Sequence, residues 1–194
     1  MKIAVPEPSL VVLVGASGSG KSTFAASHFT PTEVISSDVC RGLVSDDEND
    51  LGATDAAFEV LHLIAAKRLE AGKLTVVDAT SIELHARQPL LELAWASHVP
   101  PVAIVFDLPE ELCLERNASR PDRQVGMDVI RRQRSELRRS LEGLEREGFR
   151  PVYMLRTPED VATVEIERER PTVGSERWVA AGGQGFEPWR DLRP

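Results

Sequence analysis

The sequence predicts an α/β domain, a mainly parallel β-sheet flanked by helices. Three observations predict it. Short apolar runs of strand length alternate with longer segments of helical periodicity, a glycine-rich turn follows the first run, and aspartates stand just after the next two. Right-handed crossovers would bring the C-terminal ends of such strands to one edge, where ligands collect.

Residues 9–14, SLVVLV, are a short apolar run between Pro8 and Gly15, as a buried parallel strand is. A helix is expected from about residue 20 through Phe24 and Ala25 to His28, then a second strand at 33–36 and an exposed acidic loop at 45–50, SDDEND. Thr54 opens an amphipathic helix in which Phe58, Leu61, Ala65 and Leu69 recur at helical spacing, with Gly72 as C-cap. Residues 74–77, LTVV, make the third strand and deliver Asp78 at its end. A helix over about 83–97 precedes the fourth strand, VAIVF at 102–106, and Pro109 opens the next helix, to about Ala118. From 125 to 148 the pattern predicts one long arginine-rich helix with Val129, Leu137, Leu141 and Leu144 as its apolar stripe. Residues 151–155 are a fifth strand, and Thr157, Pro158 and Asp160 have the order of an N-cap, an N1 proline and an N3 acid. Beyond about Arg170 the chain becomes rich in Gly and Pro, so residues 1–170 are expected to form one domain and 171–194 a tail or linker. Trp178 and Trp189 in that tail lie in no basic run, each having a single arginine beside it, which favours packing over base stacking.

Hydrophobic residues at 42% and charged residues at 28% suit a soluble globular protein. No apolar run approaches the ~20 residues of a membrane span, and MKIAVPEPS lacks the pattern of a signal peptide. Cys40 and Cys113 lie far apart, which fits a reducing cytoplasm better than a disulfide or zinc framework. The net charge of −8 is uneven: residues 1–115 carry 7 basic and 17 acidic side chains, whereas 116–150 carry 10 arginines and 6 acids. A local arginine-rich face can hold phosphates whatever the total charge.

The turn GASGSGKS comprises Gly15, Ala16, Ser17, Gly18, Ser19, Gly20, Lys21 and Ser22, with Thr23 next on the helix. It matches G-x-x-x-x-G-K-[ST] between a strand and a helix, the phosphate loop of P-loop NTPases. Its glycines let backbone N–H groups turn toward phosphate oxygens, and the helix N-terminus adds partial positive charge. Lys21 is placed to reach the β- and γ-phosphates of ATP, and Ser22 to bind Mg²⁺. Asp78, ending an apolar strand, has the place of a Walker-B acid, which would hold a Mg²⁺-bound water. No N-K-x-D segment for reading guanine occurs.

Transfer to a hydroxyl needs a carboxylate that orients the attacking oxygen and takes its proton, and Asp38, just past the second strand, is placed for that. It also needs positive charge over the transferring group. Arg116 and Arg120 share one helix face in ERNASRPDR, and Arg123 follows across Pro121, as in a phosphate-closing helical lid.

Together LVVLVGASGSGKSTF, EVISSDVCRGLVSDDEND, LTVVDAT and FDLPEELCLERNASRPDRQV resemble, in order, the motifs of the bacterial polynucleotide 5′-kinase domain, over about residues 9 to 170. In that family the domain is the N-terminal module of a kinase–phosphatase–ligase RNA-repair enzyme. The resemblance implies transfer of the γ-phosphate of ATP to RNA or DNA 5′-OH ends. Asp38 would be general base, Arg41 would engage the acceptor, and Arg116, Arg120 and Arg123 would close over the donor. It further implies phosphatase and ligase modules in the same or a partner chain, and a homodimer. Ser81 departs from the pattern, which has Asn after DAT. Two alternatives stand beside this reading: a P-loop kinase for a small-molecule hydroxyl, and a nucleotide-switched binding module with no acceptor.

Overall fold

The computed structural model describes residues 1–120 and 125–170; Arg123, Trp178, Trp189 and the tail at 171–194 lie outside the described residues. Five parallel strands form the sheet: β2 (Leu10–Gly15), β3 (Val34–Ser36), β4 (Thr75–Asp78), β5 (Pro101–Phe106) and β6 (Val152–Leu155). Their spatial order is β3-β4-β2-β5-β6. The α/β class with a P-loop-type parallel sheet is thus the observed one.

Both faces of the sheet are covered, so its central strands carry unbroken apolar runs instead of alternation. Leu10, Val12 and Val14 of β2 point into one core with Leu61, Leu90 and Leu137. Val11 and Leu13 point into the other, with Ile3, Phe24 and Phe106. The first core is closed by α3 (Thr54–Glu70), α4 (Leu84–Ala96) and α6 (Met127–Ser140); the second lies under α1 (Lys21–His28). Two shorter helices, α2 (Ser37–Ser45) and α5 (Glu110–Ala118), leave the C-terminal edge of the sheet after β3 and β5. Among the described residues no helix is long and apolar enough to cross a membrane.

Three features differ from the sequence expectation. The long helix over 125–148 is broken: α6 ends at Ser140, a 3₁₀ turn covers Leu141–Gly143, and α7 (Leu144–Glu147) follows. The Ser140 hydroxyl donates to the Leu137 carbonyl, which also accepts from the Leu141 N–H, so the helical bond at the break is kept and the chain tightens into the 3₁₀ turn after it. The buried stripe is Ile130, Leu137 and Leu144; Val129 is only half-buried. Lastly, β1 (Lys2–Pro6) and β7 (Glu165–Glu169) form a separate parallel ribbon in the register Lys2↔Glu165 to Pro6↔Glu169. β1, KIAVP, is a short run that ends at a proline, and β7, EIERE, is too charged to announce a strand.

The ribbon is fastened at both sides. The Tyr153 hydroxyl accepts from the Ala4 N–H and donates to the Ala4 carbonyl, both at 3.1 Å. Arg168 donates twice to Glu33, at 2.7 and 2.8 Å, and that hydrogen bonding holds the Glu33 carboxyl down at about 2. At α8 (Pro158–Ala162) the expected cap is complete: Thr157 accepts from the Asp160 N–H and Asp160 accepts from the Thr157 N–H.

Candidate active site

The phosphate loop joins β2 to α1 and is held from three directions. Gly18 and Gly20 have φ of 77° and 92°, which glycine adopts without strain. A side chain at Gly18 would also collide with the Cys113 carbonyl of α5, so the loop lies flat on that helix. The Gly15 N–H donates to the Thr80 carbonyl at 3.1 Å, tying the loop to the segment after β4. The Ser17 N–H donates to Oε1 of Gln133 on α6 at 2.9 Å.

Lys21 is buried, and its ammonium donates to the carbonyls of Gly15 (2.8 Å) and Ala16 (2.9 Å). Ser22, on the first turn of α1, lines the same cleft as Asp78 at the end of β4. Burial lowers the Lys21 pKa, opposed chiefly by Asp78, and burial raises that of Asp78, opposed chiefly by Lys21. The hydroxyl and carboxylate are hard oxygen donors beside a phosphate loop, a set that fits Mg²⁺, which takes few protein carboxylates and keeps waters and phosphates. Among the described residues no group of three or more His, Cys, Asp or Glu forms a closed metal cage.

Across the cleft, the Ser36 hydroxyl accepts from the Val39 N–H at 3.4 Å and starts α2. Asp38 falls in the first turn, where the helix N-terminus favours a carboxylate. Arg41, one turn on, is 4% exposed and does not line the cleft. Its Nη1 donates to Asp38 Oδ1 at 2.7 Å and to the Glu48 carbonyl at 2.8 Å. Arg41 therefore stands behind Asp38 and aims it. The acidic run at 45–50 supplies that second carbonyl.

Arg116 and Arg120 come from α5 and its end. Arg116 donates to the Ser19 carbonyl at 3.4 Å, and Arg120 lies near enough to oppose the charge of Lys21 and favour that of Asp78. Asn117 accepts from the Val125 N–H and donates to its carbonyl, fastening the start of α6 to α5. One cleft of about 790 Å³ takes in Lys21, Ser22, Asp38, Asp78, Arg116 and Arg120, and continues past Phe24, Ser27 and His28 to Val161 and Ala162. Most of the site residues expected from the sequence thus come together there; Gly15, Ala16 and Ser19 are buried in the loop and do not line it, Arg41 stands behind Asp38, and Arg123 lies outside the described residues.

Two contributors carry no signal of their own in the sequence. Gln133 is one polar residue in an arginine-rich helix, and only the topology brings it to Ser17. Arg87 of α4 is fully buried and donates to the Ser81 and Ile82 carbonyls and to both carboxylate oxygens of Glu147. It shapes the turn after Thr80, where Ser81 has φ of 45°. Asn is favoured at such a φ, which gives a backbone reason for the residue the resemblance leads one to expect there.

Gln133→Ala removes the acceptor from a part-buried N–H of the phosphate loop. It should raise KM for ATP by about tenfold, the effect of orphaning one such donor. Gln133→Glu, which can still accept, should recover most of that loss. Steady-state kinetics with ATP varied checks both, and equal KM in all three proteins would remove Gln133 from the donor site.

A family model described as an AAA domain matches residues 10–144. No curated protein matches the chain. Among solved structures, a chain of the Pnkp1/Rnl/Hen1 RNA repair complex is similar with a TM-score of 0.61 at 24% identity, covering 71% of this chain and 46% of that one. A gluconokinase from Sinorhizobium meliloti 1021 has a TM-score of 0.52 at 19% identity, covering 81% of this chain and 87% of its own. A sugar kinase from Janibacter sp. HTCC2649 has a TM-score of 0.51 at 20% identity, covering 79% and 90%. What these chains share at such identities is the fold, and the present chain spans less than half the length of the RNA-repair chain.

Proposed function

The chain belongs to the AAA-domain family, and from that premise we propose that residues 1–170 are an ATP-dependent kinase for the 5′-hydroxyl of RNA or DNA. The observation that carries phosphate transfer is Asp38: a carboxylate in the same cleft as Lys21, Ser22 and Asp78, aimed by an arginine buried behind it. A switch that only binds nucleotide has no use for it. The polynucleotide acceptor rests on the four ordered motifs and on the likeness to the RNA-repair chain. The same reading gives the domain a place beside phosphatase and ligase modules, in its own chain or a partner's, and self-association as a homodimer.

The phosphate loop N–H groups, Lys21, Arg116 and Arg120 hold the triphosphate of ATP. Asp38 accepts the proton of the acceptor hydroxyl as that oxygen bonds to the γ-phosphorus. The bond from that phosphorus to the oxygen bridging it to the β-phosphate breaks, and the electron pair leaves on ADP. The arginines and Lys21 face the charge on the equatorial and leaving oxygens, where fixed cations favour the transition state over the ground state. Mg²⁺, held through Ser22 and Asp78, supplies further charge neutralisation on the phosphates when bound.

One observation favours the small-molecule alternative. Between residues 30 and 66 the only cation is Arg41, already engaged, while Asp46, Asp47, Glu48, Asp50 and Asp55 populate that side. A neutral sugar hydroxyl needs no cation there. Transfer of labelled γ-phosphate to 5′-OH oligonucleotides, beside gluconate and other sugars, separates the two. Labelled RNA or DNA is the expected result; label only on a sugar would establish the alternative, and failure with every oligonucleotide would overturn the polynucleotide reading.

A further inference from the structure

We propose that Arg134 is a positioning residue for the donor: its ion pair with Asp107 anchors α5 and α6 to the sheet in the register at which they grip the phosphate loop. This rests on the donor half of the reading above and not on the acceptor.

Three consecutive residues of the loop meet these two helices. The Ser17 N–H donates to Gln133 of α6, the Gly18 backbone lies against the Cys113 carbonyl of α5, and the Ser19 carbonyl accepts from Arg116 of α5. The shape of the donor site therefore depends on where the helices stand. They run antiparallel, with cross-links in ladder order. Asn117 bonds Val125 at the far end, Glu110 accepts from Arg131 at 3.1 Å lower down, and Asp107 accepts from Arg134 Nη1 at 2.6 Å at the base.

The base link differs from the one above it. Glu110 and Arg131 are both exposed, and such pairs contribute little. Arg134 is 4% exposed, and its partner is built into the sheet. Asp107 follows Phe106, which pairs with Gly15 at the start of the loop, and its own N–H donates to the Leu155 carbonyl at 2.9 Å. Leu137 of α6 enters the main core, so Arg134 stands where the helix leaves it. Beyond that point the helices rest on a small core of Leu108, Cys113 and Ile130. Apolar contact is non-directional and tolerates a small slip, whereas a short charge-assisted hydrogen bond sets a register. Burying the guanidinium is costly, because its Nε is buried with no partner among the described residues. Apolar residues of similar volume would stabilise the fold as well. They would not fix the height of Gln133, the preceding residue, beside the Ser17 N–H.

The test measures ATP affinity by calorimetry and amide hydrogen exchange in the loop, on the full chain. Arg134→Met should weaken ATP binding about tenfold, the effect of taking the acceptor from the Ser17 N–H. The Ser17 amide should exchange faster by a similar factor. The Gly15 amide, bonded to the Thr80 carbonyl and not to α5 or α6, is the internal control and should stay protected. Adding Gln133→Ala to Arg134→Met should cost little more, since the contact it removes is already lost. Asp107→Asn, whose amide oxygen still accepts from Arg134, should keep most of the affinity. Should Arg134→Met strand Asp107 and fail to fold, Arg134→Met with Asp107→Asn leaves no unpaired buried charge and should show the same donor loss. Unchanged ATP affinity overturns the proposal. So do losses that add on combining with Gln133→Ala, which would mean that Arg134 acts by its charge alone, and Gly15 and Ser17 amides that speed up alike, which would mean that it serves general stability. In each of those cases the donor reading stands; it falls, and the proposal with it, if the parent protein binds no ATP.

Discussion

Asp38→Ala should lower kcat for phosphate transfer by about 10²- to 10⁴-fold, the range of a lost general base, while Mg²⁺–ATP binds nearly as before. The division follows from where the groups sit. Asp38 comes from α2, across the cleft from the phosphate loop, and Arg41 holds it there, whereas Lys21 is held by the carbonyls of the loop itself. Asp38→Asn sharpens the test, because an amide oxygen can still accept from Arg41 but cannot take the proton. It should be as inactive as the alanine variant. Arg41→Ala should fall less far, since it removes the group that aims the carboxylate and spares the carboxylate. Binding of ATP measured by calorimetry, beside single-turnover transfer, separates these outcomes. An ATP affinity that falls as far as the rate would make Asp38 a metal-site or structural residue. An active asparagine variant would remove the general base.

The central sheet and the donor loop were legible in the sequence for one physical reason. Both are local: a strand buried on two faces must be apolar throughout, and a phosphate loop is one contiguous run whose glycines are required by its backbone. The ribbon of β1 and β7 was not legible, because it pairs residues some 160 apart in sequence, and of its strands β1 is short and ends at Pro6 while β7 is mostly charged. Arg41 shows the same limit within the site. Its spacing from Asp38 was plain, but its burial, and hence its orientation away from the cleft, is set by the Glu48 carbonyl. Gln133 and Arg87 act wholly through contacts between distant segments, and no pattern in their own neighbourhoods marks them.

Arg87→Ala should destabilise the fold by about 3–5 kcal/mol, the effect of removing one partner from a buried ion pair. The side chain is fully buried, and Glu147 beside it is only 12% exposed, so the substitution strands a carboxylate with little access to water. It also orphans the Ser81 and Ile82 carbonyls on the turn that follows the metal-site acid. The penalty thus has two sources, and a double variant separates them. Arg87→Leu with Glu147→Leu removes both charges and fills the space, so it should recover most of the loss if the stranded carboxylate dominates. Denaturant unfolding of the single and double variants measures this directly, provided the slope of the transition stays constant. A double variant as unstable as Arg87→Ala would place the energy in the two carbonyls. The turn at Ser81 would then be held open by Arg87 alone, and ATP turnover in the double variant should be as impaired as its stability.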